Sequence, residues 1–292
     1  MESSLQSQSH AHSLSQANSQ RPAARSYLFV PGDRPERFDK AWASQADAVI
    51  IDLEDAVAPE KKLLARTAIA AWLNPARPVW VRVNATDSEW FEGDVALALQ
   101  PGLAGLMVPK AEELSASLIA MCGERGLAIL PIIETAVGMR NAEKLAATAH
   151  VSRLAFGTID FQVDLDIVGD DDALLAFRSH LVLVSRLAGI AAPIDGVTTS
   201  IDDFEQLRAD TSRSRRLGFG AKLCIHPSQV DEVHRVLAPS EAELEWARRV
   251  LQVIDASNGA AVALDGKMID RPVWLKAVRI AAAPAAGVSL RG

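Results

Sequence analysis

The chain has 292 residues, of which 49% are hydrophobic and 23% charged, and its formal net charge is −7. That length suits one α/β barrel, and the composition supplies a large buried core while excluding global disorder. The acidic balance argues against nucleic acid or an anionic membrane as the main partner, and no apolar run reaches the roughly 18 residues of a membrane span.

Residues 1–24 are rich in Ser, Gln and His without apolar periodicity, which predicts a disordered tail. The tail lacks the charged start and apolar middle of a secretory signal, so a cytoplasmic protein is expected. His10 and His12, in an unstructured stretch, would make a poor metal site. Cys122 and Cys224 lie far apart in apolar surroundings and read as buried thiols in a reducing compartment.

From Tyr27 onward, β-rich apolar runs alternate with segments of helical spacing. Strands are predicted over Tyr27–Gly32, Ala48–Glu54, Val79–Asn84, Gly105–Lys110, Ala128–Glu134, Arg153–Gly157, Ile194–Val197 and Lys222–Pro227. Helices are predicted over Pro59–Leu73, Glu112–Arg125 and Ala173–Ala188. Such alternation implies a parallel sheet with right-handed crossovers, and about eight units close a barrel. A doubly wound open sheet alternates too, but no Gly-rich phosphate turn follows the first strand. The expected fold is therefore a (β/α)8 TIM barrel over residues 25–238. A capping box at Ser240 and Glu243 opens a predicted helix to Ala256. A turn is expected at Asn258–Gly259, and Asp265–Ala283 exceeds what closure needs. Residues 239–292 are expected to form a C-terminal helical extension, as a lid or as an arm onto a neighbouring subunit.

In such a barrel chemistry gathers at the C-terminal strand ends. Those ends offer Asp52, Glu54, Asp55, Arg82, Asn84, Lys110, Glu134, Asp160, Asp195 and His226. Strand alternation cannot turn all of them inward. Glu134 and Asp160 close successive strands and suit a Mg²⁺ held by two carboxylates, with water and substrate completing the shell. A solvated pair, or carboxylates at helix starts, is the alternative. Arg82 carries a planar fork fit for a substrate carboxylate; a salt bridge to Asp52, Glu54 or Asp55 is compatible with that role. Those three acids are expected to orient Arg82 and metal-bound water. Asp170, Asp171 and Asp172 read as an acidic helix start, and Arg213, Arg215 and Arg216 as a solvated helix face. His226 fits either the pocket or a structural role.

Seven motifs, in order along the chain, carry a resemblance. They are Arg25-Ser-Tyr-Leu-Phe-Val-Pro-Gly-Asp-Arg-Pro-Glu-Arg-Phe38, Asp52-Leu-Glu-Asp-Ala-Val57, Arg82-Val-Asn84, Val108-Pro-Lys110, Ile133-Glu-Thr-Ala136, Cys224-Ile-His-Pro-Ser-Gln229 and Gly266-Lys-Met-Ile-Asp270. From about Arg25 to near the C-terminus the sequence resembles the citrate lyase β-subunit-like acyl-CoA lyases of the HpcH/HpaI aldolase superfamily. The resemblance implies a Mg²⁺-dependent cleavage or condensation of a 3-hydroxyacyl-CoA thioester, giving an acyl-CoA and a 2-oxo acid. It also implies Glu134 and Asp160 as metal ligands, with Glu134 and Arg82 in contact with substrate. By the same resemblance Arg37 and Lys40 fall near the positions that hold CoA phosphates. Asp270 matches an acid that reaches an adjacent subunit's site as general acid/base, so a homo-oligomer, a trimer, is expected. Where several such lyases carry Gly-Gly/Ala-Glu-Asp, this chain reads Gly157-Thr158-Ile159-Asp160. Two alternatives stand beside a free-standing lyase: a citrate lyase β subunit acting on an acyl-carrier thioester, and a catalytically silent barrel that binds a 2-oxo acid and CoA.

Overall fold

The computed structural model describes residues 23–256, 262–286 and 288–290. Eight parallel strands close a barrel in chain order: β1 (Ser26–Pro31), β2 (Ala48–Asp52), β3 (Val79–Arg82), β4 (Leu103–Val108), β5 (Ala128–Ile133), β6 (Ala155–Phe156), β7 (Ile194–Asp195) and β8 (Ala221–Cys224). Closure is made where Tyr27 of β1 pairs with Leu223 of β8. The two-residue alternation of a strand sorts side chains between two compartments. Ala48 and Ile50 of β2 join Met107, Leu130, Ile194 and Leu223 inside the barrel. Val49 and Ile51 face outward into the layer shared with the helices. Both faces are buried, so β2 reads as a continuous apolar run rather than an alternating one.

The helices between the strands are α1 (Phe38–Ala43), α2 (Lys62–Trp72), α3 (Phe91–Val95), α4 (Ala116–Arg125), α5 (Ala136–Arg140), α6 (Ala142–Ala146), α7 (Thr158–Leu165), α8 (Leu175–Leu187), α9 (Phe204–Leu217) and α10 (Ser228–Leu237). Several differ from the sequence expectation at their starts. Pro59–Lys61 forms a 3₁₀ turn ahead of α2, and α4 begins only where the Ser115 hydroxyl accepts from Leu118 N–H at 3.3 Å. The strands stop short of the predicted ends. Glu54, Asn84, Lys110, Glu134 and His226 lie just past the ladders, because the chain there is already leaving the sheet for the next helix.

The C-terminal extension is not wholly helical. After α11 (Glu241–Ala256), strands β9 (Val262–Leu264) and β10 (Lys267–Ile269) form a hairpin, followed by α12 (Arg271–Ala281). Asp265 and Gly266 both have positive φ, 50° and 72°, as a two-residue turn between right-twisted strands requires. The capping box at the start of α11 is present, with Ser240 N–H donating to Glu243 at 2.8 Å and Glu243 N–H to the Ser240 hydroxyl at 3.2 Å. Ala247, Val250, Ile269 and Ala277 make a small separate core. Ile269 is thus buried within its own chain, whereas Met268 stays exposed. The turn expected at Asn258–Gly259 and the tail over residues 1–22, with His10 and His12, lie outside the described residues.

The opposite end of the barrel is fastened by a buried ion pair. Arg25, just before β1, donates to Asp47, just before β2, at 3.0 Å, and also to the carbonyl of Ala285 at 3.0 Å. Leu290 N–H donates to Asp47 at 2.7 Å, so the C-terminal segment closes over the N-terminal strand ends. No described helix is long and apolar enough to cross a membrane.

Candidate active site

At the C-terminal strand ends lies a cavity of about 400 Å³. It gathers Asp52 and Asp55 from the end of β2, Arg82 from β3, Glu134 from beyond β5 and Asp160 from the first turn of α7. Its remaining wall is mostly apolar. Five of the strand-end candidates are not part of that lining: Glu54, Asn84, Lys110, Asp195 and His226.

Arg82 is held on several sides. Its Nε and Nη2 reach the two oxygens of Asp52 at 2.7 and 2.6 Å, which is the salt bridge that the sequence reading set beside a substrate role. Nη1 stands 2.8 Å from Glu54, an ion pair without hydrogen-bond alignment, and 3.5 Å from Asp55. The guanidinium lies over the Phe29 ring, 4.9 Å from its centroid. Burial opposes the charge on Arg82, but Asp52, Glu54 and Asp55 outweigh it and raise the pKa further. The arginine is therefore a permanent, oriented cation.

The three acids are placed by residues that the sequence did not single out. Lys62, buried at the start of α2, donates to the carbonyls of Leu53 and Glu54 at 2.8 and 3.0 Å and to the Asn84 side chain at 2.5 Å. Burial lowers its pKa. Asn84 in turn donates twice to Asp94, which also accepts from Arg66 at 2.9 Å. This lattice pins the chain leaving β2, and so fixes where Glu54 and Asp55 meet Arg82. A lysine on a helix looks like a solvated residue in sequence. Asn84 at a strand end was its one visible sign.

Glu134 is buried, with 3% relative exposure. Burial pushes its carboxyl up to about 8, and the charges of Glu54 and Asp160 add to the rise. One opposing contact is the backbone N–H of Lys110, which donates to Glu134 at 2.6 Å. Lys110 adopts φ +46°, rare for a residue with a side chain, and this turn aims its N–H at Glu134 while its ammonium pairs with Glu54 at 2.5 Å. Gly157, at the opening of α7, leaves the carboxylate its room: a Cβ there would collide with Glu134. A buried acid destabilised by burial and by two neighbouring acids is chemically suited to a cation. Among the described residues no three His, Cys, Asp or Glu side chains gather into a ready-made cage. A cation here would complete an oxygen shell from water and substrate, as Mg²⁺ does.

Other expectations resolve differently. Asp195 points outward from β7 into a buried network with Arg178 at 3.0 Å, Lys222 at 3.8 Å and the Ser214 hydroxyl. Asp170 and Asp171 do not cap a helix; they pair with Arg213, and Asp170 also with Arg178. Arg213 is accordingly largely buried and Arg215 is bound to Glu243, so the basic run of α9 is not simply a solvated face. Burial pushes Cys122 up to about 11 and Cys224 up to about 12, leaving both thiols unreactive at neutral pH. Arg37, Lys40 and His226 line a second cavity of about 400 Å³, which shares Phe29, Pro31 and Ile225 with the first. Asp270 caps α12, accepting from Val273 N–H at 3.2 Å, and lies outside both cavities in this chain.

The sequence profile of the family described as HpcH/HpaI aldolase/citrate lyase matches residues 25–227. A citrate lyase subunit beta-like protein of Deinococcus radiodurans is 39% identical over 273 residues, covering 87% of this chain and 94% of its own. A (3S)-malyl-CoA thioesterase of Cereibacter sphaeroides is 34% identical over 256 residues, covering 84% and 89%. The crystal structure of CitE from Mycobacterium tuberculosis with magnesium, acetoacetate and coenzyme A superposes with a TM-score of 0.77 at 34% identity. The match covers 89% of this chain and 98% of that one. A citrate lyase beta subunit from the same organism, complexed with oxaloacetate and magnesium, gives 0.66 at 31%, covering 75% and 99%. With the closed barrel, the acid-rich mouth and these matches together, the chain belongs to the HpcH/HpaI aldolase/citrate lyase family.

Proposed function

We propose that this protein is a Mg²⁺-dependent carbon–carbon lyase that cleaves or condenses a 3-hydroxyacyl-CoA thioester, with an acyl-CoA and a 2-oxo acid on the other side of the reaction. The observation that carries the reading is Glu134, a buried carboxyl raised to about 8 beside Asp160 at the mouth of the barrel. In this proposal Glu134 and Asp160 hold the Mg²⁺. Bound there, the ion would supply Lewis-acid charge to the 2-oxo acid. Arg82, kept cationic and oriented by Asp52, Glu54 and Asp55, places further positive charge where oxygen charge shifts as the bond breaks.

In the cleavage direction the substrate hydroxyl passes its proton to solvent water and becomes the carbonyl. The bond from its carbon to the carbon beside the thioester breaks, and the electron pair passes into the thioester enolate. That enolate carbon then takes a proton. We assign the proton to Asp270 of a neighbouring subunit in a homotrimer, consistent with the exposed Met268 on β10 two residues before it. Arg37 and Lys40, in the adjoining cavity, are placed to hold CoA phosphates.

A thioesterase reading is favoured by the 34% identical (3S)-malyl-CoA thioesterase. One experiment separates the readings: purified protein, Mg²⁺ and a small panel of 3-hydroxyacyl-CoA thioesters, with free thiol and 2-oxo acid measured in parallel. The lyase releases 2-oxo acid without free CoA. A thioesterase releases free CoA without 2-oxo acid. Turnover only of a carrier-bound thioester identifies a citrate lyase β subunit, and binding without any turnover identifies a silent barrel.

A further inference from the structure

The two acids proposed to hold the metal belong to neighbouring barrel units, so the chain must set the distance between them. Glu134 is held directly, by the Lys110 N–H at 2.6 Å and by the close approach of Gly157. Asp160 is placed differently. It stands in the first turn of α7, and among the described residues its carboxyl makes no hydrogen bond or ion pair. Its position therefore follows from where α7 lies.

α7 is tied to the Glu134 segment at two heights. At its base, Gly157 N–H donates at 3.0 Å to the carbonyl of Ile133, the residue before Glu134. One turn further on, Asp164 accepts at 2.6 Å from the N–H of Ala136, two residues past Glu134. Asp160 and Asp164 are four residues apart and so share a face of the helix. The donor is free to be used, because Ala136 opens α5 and its N–H has no partner within that helix. Behind α7, Phe161 packs between Phe156 and Phe177, with ring centroids 5.2 and 4.8 Å away. Apolar packing is non-directional and leaves the helix free to turn about a single fixed point. A second hydrogen bond, to a backbone N–H and with a charged acceptor, removes that freedom.

Resting on the metal reading of Glu134 and Asp160, we propose that Asp164 is a positioning residue of the metal centre. Its bond to Ala136 N–H fixes the separation of the two ligand carboxylates and so favours Mg²⁺ over the larger Ca²⁺. Mg²⁺ demands near-octahedral geometry at about 2.0–2.1 Å, whereas Ca²⁺ accepts looser arrangements at about 2.3–2.6 Å. Loosening α7 penalises Mg²⁺ first.

The two ends of this bond can be changed separately. Ala136→Pro removes the donor and keeps the Asp164 charge. Proline is accepted at a first helical position, and Thr135 before it is already extended, at φ −132° and ψ 157°. Asp164→Asn removes the charge and keeps an acceptor oxygen. Asp164→Ala removes both, and gives the same comparison with Asp164→Asn should the proline variant not fold. Mg²⁺ and Ca²⁺ are titrated calorimetrically into the metal-free full-length protein and these variants, with thermal melts alongside and Glu134→Gln as the marker of the site. Ala136→Pro and Asp164→Ala should bind Mg²⁺ about tenfold more weakly, with Ca²⁺ affinity within about twofold of the parent. Asp164→Asn should keep the parent's preference for Mg²⁺ over Ca²⁺ within about twofold. Equal losses of both ions, or a lost preference in Asp164→Asn, would assign the effect to charge and overturn the proposal. So would an unchanged preference in the variants that lack the bond, even with a lower melting temperature, since Asp164 would then serve only to cap α5. If the parent binds neither ion, or Glu134→Gln binds both as the parent does, the metal reading of the site falls and this proposal with it.

Discussion

Replacing Glu134 by Gln should make the metal-free protein more stable and the metal-binding protein useless. The folded protein holds the Glu134 proton up to about 8, against an ordinary value of 4.5. Between those values the native state binds more protons than the unfolded state, so stability falls as pH rises from about 4.5 to about 8. At neutral pH the accumulated cost reaches up to about 3 kcal/mol, taking 1.36 kcal/mol per pKa unit. Gln removes that cost but keeps an oxygen able to accept the 2.6 Å hydrogen bond from Lys110 N–H. Thermal melts in EDTA near pH 7 should therefore rise by roughly 5 °C for a chain of this size. The parent's Mg²⁺ affinity should climb about tenfold per pH unit below a pH of about 8 and level off above it, because only the ionised carboxylate is a ligand. Glu134→Gln should bind Mg²⁺ at least about a hundredfold more weakly at every pH. A variant that melts below the parent in EDTA, or that keeps the parent's Mg²⁺ affinity, refutes the reasoning.

Three more outcomes are expected. Gly157→Ala puts a methyl group against the Glu134 carboxylate, so Mg²⁺ affinity should drop more than about tenfold with the circular dichroism unchanged; unaltered affinity would count against a metal at Glu134. Asp47→Ala leaves Arg25 and His234 without their buried partner and should cost about 3–5 kcal/mol in urea unfolding. Burial opposes the Asp47 charge, but His234 and Arg25 outweigh it and hold the carboxyl far below its usual range; its stabilisation is full above an ordinary carboxylate pKa and is lost as pH falls toward the folded one. Acid titrations should accordingly show a shallower pH dependence in Asp47→Ala than in the parent. Finally, Asp270→Asn and Arg82→Ala, each nearly inactive alone, should regain activity when co-refolded into mixed oligomers, and no recovery in verified hybrids would rule out a shared site.

The barrel was legible because β/α alternation and continuous apolar runs such as Ala48–Asp52 are imposed by burial on both faces of each strand. Within the mouth, acids at successive strand ends marked Glu134 and Asp160. What sequence could not supply was orientation. Asp195 sits at a strand end like the others, yet its register turns it outward to Arg178 and Lys222, and no pattern in the local sequence distinguishes it. Asp170 and Arg213 meet across 43 residues of chain, so each looked like part of a local charge run. The hairpin at β9 and β10 had a readable signal, Asp265-Gly266 between two short apolar runs, but helical spacing downstream masked it.

The charged groups of this protein follow two different rules according to where they lie. Beneath the barrel and in its outer layer, buried charges come in matched sets: Arg25 with Asp47, Arg178 with Asp195 and Asp170. There burial is compensated in the folded chain alone, and Asp47 and Asp195 are both held below the usual carboxylate range. At the mouth the matching fails on one side. Arg82 is over-supplied with acids, while Glu54 and Glu134 are both raised, in each case chiefly by burial. Fold stability does not account for keeping Glu54 and Glu134 among so few cations, since burial opposes the charge of both. The imbalance has a physical rationale only if a cation completes the set.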